Sequence, residues 1–121
     1  IPVICSMTYT SGRTLTGVSP AVAAVTLEAL GASVIGCNCS GGPDELQQVI
    51  AELARYTELP LVAPPNAGLP LMVDGKVQYP LGAEQFAEEM KKFLPYQTAF
   101  LGGCCGTTPD HIRAIISQKA L

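Results

Sequence analysis

Charge is scarce in this chain of 121 residues: only 14% are Asp, Glu, Lys or Arg, against roughly 25% in an average soluble domain. Seven basic residues face ten acidic ones, for a net charge of −3, which excludes the clustered Lys and Arg a nucleic-acid binder needs to neutralise phosphates. No apolar run approaches the roughly 18 residues needed to cross a bilayer, and the N-terminus has neither the basic start nor the long apolar stretch of a secretory signal. No membrane partner is expected, and the chain reads as cytoplasmic. No Gly-x-Gly-x-x-Gly or Walker pattern accompanies the Gly41-Gly42 and Gly102-Gly103 pairs, so nucleotide binding is not expected. The single histidine, His111, lies in the first turn of a capped helix and is not expected to serve as metal ligand or base.

Apolar residues are plentiful, at 48%, enough for one domain around a core. So few charges would cover a lone small globule poorly. The chain also opens inside an apolar run, Ile1-Pro2-Val3-Ile4 without an initiator Met, so a preceding segment is expected.

Four short apolar or β-branched runs recur: Val3 to Thr8, Ser33 to Asn38, Leu61 to Pro64 and Thr98 to Gly102. Each is followed by a turn and then a helical pattern. Ser19-Pro20 caps the first helix and Gly31 stops it beyond Leu30. Pro43-Asp44-Glu45 opens the second, whose stripe is Leu46, Val49, Ile50, Leu53 and Tyr56. Phe86, Met90, Phe93 and Leu94 form the third stripe. Thr108-Pro109-Asp110 starts the fourth helix, expected to bury Ile112, Ile115 and Ile116. Between the third strand and its helix, Met72-Val73-Asp74-Gly75-Lys76-Val77 reads as a hairpin flap. Four strand-helix units imply an α/β fold with parallel strands; eight such units make a (β/α)8 barrel of about 240 residues. A partial TIM barrel of four βα units is expected, because a four-stranded open sheet would leave two edges to hide. Its uncovered side calls for a partner segment or a second copy of the chain.

Five cysteines are an odd count, two of them adjacent; in a reducing compartment this favours metal or thiol chemistry over a disulfide framework. Cys37 and Cys39 close the second strand, and Cys104-Cys105 close the fourth, at the strand ends where barrels keep their chemistry. Cys5 and Cys37 read most simply as small buried apolar residues. Adjacent residues on a strand face opposite ways, so Cys104 and Cys105 can share a metal only if the backbone leaves strand geometry, which their flanking glycines permit. Cys39, Cys104 and Cys105 would then make a three-thiolate zinc site with its fourth position open. Three thiolates leave a net charge near −1, poor for activating water but suited to holding an incoming thiol as a nucleophile. Simple packing, a vicinal disulfide and an iron-sulfur site remain open on spacing alone.

Asn38-Cys39-Ser40 with Gly42-Pro43-Asp44, then Pro65-Asn66-Ala67-Gly68-Leu69-Pro70, then Gly102-Gly103-Cys104-Cys105-Gly106-Thr107-Thr108-Pro109 run in this order across nearly the whole chain. Together they resemble the homocysteine S-methyltransferase family. The Gly12-Arg13-Thr14-Leu15-Thr16-Gly17 segment is similar to the homocysteine-binding module of cobalamin-dependent methionine synthases. The resemblance implies a (β/α)8 barrel of which residues 1–121 form the C-terminal half, strands five to eight. It implies zinc on Cys39, Cys104 and Cys105, homocysteine sulfur as the exchangeable fourth ligand, and methionine as product. Methylcobalamin carried by another module is the implied methyl donor in the synthases, with folate- and cobalamin-binding modules as further partners. The half not present here is where the family keeps acidic residues that grip the substrate's amino group. No side chain is expected to act as acid, base or nucleophile.

Asn66, just past the third strand, is expected to reach the open zinc position or the substrate, although Pro-Asn-Ala-Gly is also plain turn chemistry. Ser6 and Thr8, at the end of the first strand, are expected to bind the substrate's carboxylate, or else to be ordinary polar strand ends. The alternative from another class is a catalytically silent, zinc-binding half-barrel that serves assembly.

Overall fold

Each of the four apolar runs becomes a strand. In the computed structural model, which describes residues 1–118, β1 (Ile4–Met7), β2 (Val34–Cys37), β3 (Leu61–Ala63) and β6 (Thr98–Leu101) form one sheet in the order β1-β2-β3-β6. All three pairings are parallel. The expected flap is there too: β4 (Leu71–Val73) and β5 (Lys76–Gln78) pair antiparallel across Asp74-Gly75. Both turn residues have positive φ, 49° and 73°, as a tight two-residue hairpin turn requires.

The helices are α1 (Pro20–Ala29), α2 (Pro43–Leu53), α3 (Ala83–Met90), which a 3-10 turn over Lys91–Phe93 extends, and α4 (Pro109–Ser117). Successive helices pack on one another, α1 on α2, α2 on α3 and α3 on α4, and so form one layer. Alternation along the strands follows that layer. Cys5, Met7, Ile35, Cys37, Leu61, Ala63 and Leu101 join the helix-side core. On the opposite face Ser6, Gly36, Val62 and Phe100 lie in register, and Ile4 and Phe100 remain 54% and 46% exposed. A sheet clothed on one side, with strands in simple sequential order, is what part of a singly wound barrel looks like. Within that row Gly36 lets the strands close, because a Cβ there would stand 2.0 Å from the Val62 carbonyl oxygen.

The helix ends follow their sequence signals. The Ser19 hydroxyl accepts a hydrogen bond from the Val22 N–H at 3.4 Å, and Gly31, with φ 89°, turns the chain out of α1. The Glu45 carboxylate accepts from the Gly42 N–H at 3.0 Å and so caps α2.

Three expectations about stripes need correction. Tyr56 lies beyond the end of α2 and is exposed, as is Leu94 after the 3-10 turn. In α4 the inward face carries His111 and Ile115, while Ile112 and Ile116 point outward, 37% and 75% exposed. The reason is a polar partner on the inside. His111 Nε2 reaches the Leu81 carbonyl at 2.9 Å, its Nδ1 accepts from the Thr108 N–H at 3.2 Å, and its ring meets Phe86 edge-on. Those bonds rotate the helix so that the histidine and not Ile112 faces α3. No helix among the described residues is long and apolar enough to cross a membrane.

Candidate metal centre

The second and fourth units deliver their cysteines to the same rim of the sheet. β2 ends at Cys37, and two residues later Cys39 and Ser40 adopt left-handed backbone, with φ 56° and 57°. Non-glycine residues take that conformation only under local constraint. The constraint is visible: the Cys39 N–H donates to the Pro64 carbonyl at 3.2 Å, and the Gly41 N–H returns to the Cys39 carbonyl at 2.6 Å. After β6 the chain leaves strand geometry, as two adjacent metal ligands require. The Thr107 hydroxyl donates to the Cys104 carbonyl at 2.7 Å and closes a tight turn.

The segment after β3 laces these two loops together. Pro65 accepts from the Cys104 N–H at 2.8 Å, the Ala67 N–H donates to the Cys105 carbonyl at 2.9 Å, and the Asn66 N–H donates to the Gly41 carbonyl at 3.1 Å. Asn66, only 8% exposed, also accepts the Cys105 N–H on its Oδ1 at 3.1 Å. One buried residue thus ties both sulfur-bearing loops, by its backbone N–H to one and its side-chain oxygen to the other.

The result is three sulfur atoms within 4.8 Å of one another. Cys39 Sγ stands 2.6 Å from Cys104 Sγ and 3.9 Å from Cys105 Sγ, and Cys104 and Cys105 are 3.9 Å apart. Tetrahedral zinc with bonds of about 2.3 Å has sulfur-sulfur edges of about 3.8 Å. Two of the three edges match that spacing; the Cys39–Cys104 pair is tighter and must part to admit the ion. The donor set, three thiols on one rim with one exposed side, fits zinc.

The thiols are not equivalent. The Cys104 thiol beside it, with lesser help from Asn38 and Cys105, holds Cys39 below the ordinary thiol pKa against a smaller opposing effect of burial. Burial, followed by the neighbouring sulfurs, pushes Cys104 up to about 12. Of these two, Cys39 is therefore the first to ionise, with Cys104 donating its S–H to it. Cys5 and Cys37 stay with the core, as expected.

The substrate-side residues are placed as follows. The Ser6 hydroxyl donates to Asn38 Oδ1 at 2.6 Å, and Asn38 Nδ2 donates to Thr8 Oγ1 at 3.4 Å. Both hydroxyls are exposed at the end of β1. Asn38, which bridges them, was not singled out from the sequence for this part, although it stands inside the Asn38-Cys39-Ser40 motif. Tyr79 was missed as well. It leaves β5 and lies over Gly106, where a Cβ would be 2.2 Å from Tyr79 Cγ. Only the hairpin's path brings it there.

Comparison with known proteins agrees with this geometry. A family model described as Homocysteine S-methyltransferase matches residues 1–118. Methionine synthases of Mycobacterium leprae and Mycobacterium tuberculosis are each 38% identical over 122 aligned positions, covering 99% of this chain and 10% of theirs. The chain thus spans about a tenth of the length of these relatives. In fold it is similar to the crystal structure of the homocysteine methyltransferase MmuM from Escherichia coli. The metallated form gives a TM-score of 0.73 at 23% identity, over 94% of this chain and 34% of that one. The apo form gives 0.69 at 23% identity, over 92% and 38%. A parallel sheet bearing three convergent cysteines, together with a family match over nearly its whole length, means that this chain belongs to the homocysteine S-methyltransferase family.

Proposed function

We propose that the chain holds zinc on Cys39, Cys104 and Cys105, takes the sulfur of homocysteine at the fourth position, and serves the methyl transfer that forms methionine. The observation that carries this reading is the convergence of three sulfurs from two separate strand-helix units within 4.8 Å. Zinc bound there would supply a Lewis acid that lowers the pKa of the incoming thiol and keeps it nucleophilic. The chain's own residues bind and orient. Cys39, more acidic than its neighbour Cys104, gives up its proton before that neighbour does. Asn66 braces Cys105 and turns its amide to the substrate or the open metal position. Ser6 spends its proton on Asn38, whereas Thr8 receives a hydrogen bond and keeps its own O–H for the substrate's carboxylate. The methyl group comes from a donor carried by another module, methylcobalamin in the methionine synthase reading, with a folate-binding module to recharge it.

The four units are best read as strands five to eight of a (β/α)8 barrel, with residues 1–121 its C-terminal half. Sequential parallel order, a single helix layer and an apolar open face support this. The remaining units, or failing them a second copy, would cover Ile4 and Phe100. That open face also favours a second reading for the chain by itself, a zinc-binding half-barrel without turnover.

Metal analysis and a methyl-transfer assay separate these readings. About one zinc per reduced chain, with methionine formed from homocysteine and methylcobalamin, is the expected result. Zinc without methionine selects the silent half-barrel, and no zinc uptake after reduction overturns both.

A further inference from the structure

The parallel pairing of β1 with β2 runs one step beyond both strands, because the Asn38 N–H donates to the Met7 carbonyl at 3.1 Å. Side chains alternate along paired strands, so Thr8 and Asn38 continue the row of Ser6 and Gly36 on the open face of the sheet. There the polar side chains form one chain of hydrogen bonds. The Ser6 hydroxyl donates to Asn38 Oδ1 at 2.6 Å, and Asn38 Nδ2 donates to Thr8 Oγ1 at 3.4 Å. Behind them Ser40 fixes both strand exits, its hydroxyl donating to the Asn38 carbonyl at 3.1 Å and accepting the Tyr9 N–H at 2.9 Å. The backbone already joins these strands, so the trio is free for another task.

A hydroxyl brings one polar hydrogen and an amide two, so the internal bonds leave a pair of donors free, the second N–H of Asn38 and the O–H of Thr8. Turning the amide over would only exchange the parts of the two hydroxyls. Among the described residues no carboxylate of the chain hydrogen-bonds to the trio, so these donors are not already taken by an anion. We propose that Asn38 is a specificity residue: its amide binds the substrate's carboxylate directly and holds Thr8 beside it as the second donor, so that the site selects an amino-acid thiol over a plain one. The proposal rests on the zinc and homocysteine reading above. Homocysteine carries its thiol and its carboxylate at opposite ends of a short flexible chain, and Asn38 is the sequence neighbour of Cys39, about 3.8 Å away between Cα atoms. Seat and metal centre therefore stand side by side. Hydrogen bonds to an ionised group are the strong ones, and donors already held in place lose little freedom when the ligand arrives.

The test is calorimetric titration of the zinc-loaded chain with two thiols, homocysteine and 3-aminopropane-1-thiol, which keeps the thiol and the amine and lacks the carboxylate. Asn38→Ala is expected to weaken homocysteine about tenfold or more, the scale of one hydrogen bond to a charged group, and to leave the aminothiol within about twofold. A merely structural role would weaken both alike. Equal losses for the two thiols, or no loss for homocysteine, overturn the proposal. Should Asn38→Ala misfold, Asn38→Asp keeps the shape and can still accept from Ser6 and Thr8, but it sets a negative charge against the carboxylate. It is expected to weaken homocysteine about thirtyfold or more without weakening the aminothiol; homocysteine binding as in the wild type overturns the proposal. A chain that takes up no zinc, or zinc-loaded chain that binds neither thiol, overturns the metal reading and this proposal with it. Zinc and thiol binding without discrimination by the variants overturns this proposal alone, so the two failures are distinguishable.

Discussion

Cys37 and Cys39 are two residues apart and share one strand's exit, yet they belong to different regions with different chemistry. Cys37 lies on the helix-covered floor, 0% exposed. Its thiol donates to the Leu46 carbonyl at 3.9 Å, and burial pushes its pKa above the ordinary thiol range. Cys39 lies on the rim, where a left-handed turn carries it off the strand and beside Cys104 and Cys105. The floor uses sulfur as a small apolar filler; the rim gathers it into a group that could hold a metal. What separates them is two residues of backbone.

Mutations should divide along the same line. The largest effect is expected for Cys104→Ala, which should abolish stoichiometric zinc binding while the circular dichroism of the metal-free chain stays unchanged. Retained zinc would break the distinction. Next is Asn66→Ala, which strips the acceptor from a braced Cys105 N–H and should weaken zinc about ten- to hundredfold, as loss of an outer-sphere contact commonly does; chelator competition reads this. Cys37→Ser should do the reverse, leaving zinc stoichiometry intact and costing about 1–3 kcal/mol of stability for a hydroxyl in an apolar floor, read by denaturant unfolding.

The smallest effect concerns Tyr9, also on the floor and 2% exposed. Its hydroxyl has no hydrogen-bond partner among the described residues, so Tyr9→Phe should stabilise the fold by about 1 kcal/mol. Burial, with Cys37 and Glu52 nearby, pushes its pKa up to about 12. The folded chain therefore holds this proton more tightly than the unfolded chain. Its contribution is complete below a pH of about 10 and is lost between about 10 and 12. Tyr9→Phe should flatten that alkaline decline; an unchanged pH profile would place the phenol in water.

Much of the architecture was legible because its signals are local. Ser19-Pro20, Pro43-Asp44-Glu45, Thr108-Pro109 and Asp74-Gly75 each act within a few residues, and each element begins or turns where they predict. The stripe of α4 was not legible. A helix with Ile112, Ile115 and Ile116 offers two inward rotations, and the Leu81 carbonyl, thirty residues away in sequence, selects the one that buries His111. The candidate ligands stood out as a motif, but Asn38 as a bridge and Tyr79 packed on Gly106 did not, since neither placement exists until separate loops meet.

Sequence alone determined the alternation of strand and helix, the caps, the hairpin turn and the cysteines available at strand ends, because propensity and periodicity are properties of neighbouring residues. Tertiary structure alone decided that Cys39 and Cys104 come within 2.6 Å across 65 residues, and that Asn66 ties their loops. Distances between units are set by strand register and by the packing of the helix layer, which no stretch of chain contains by itself.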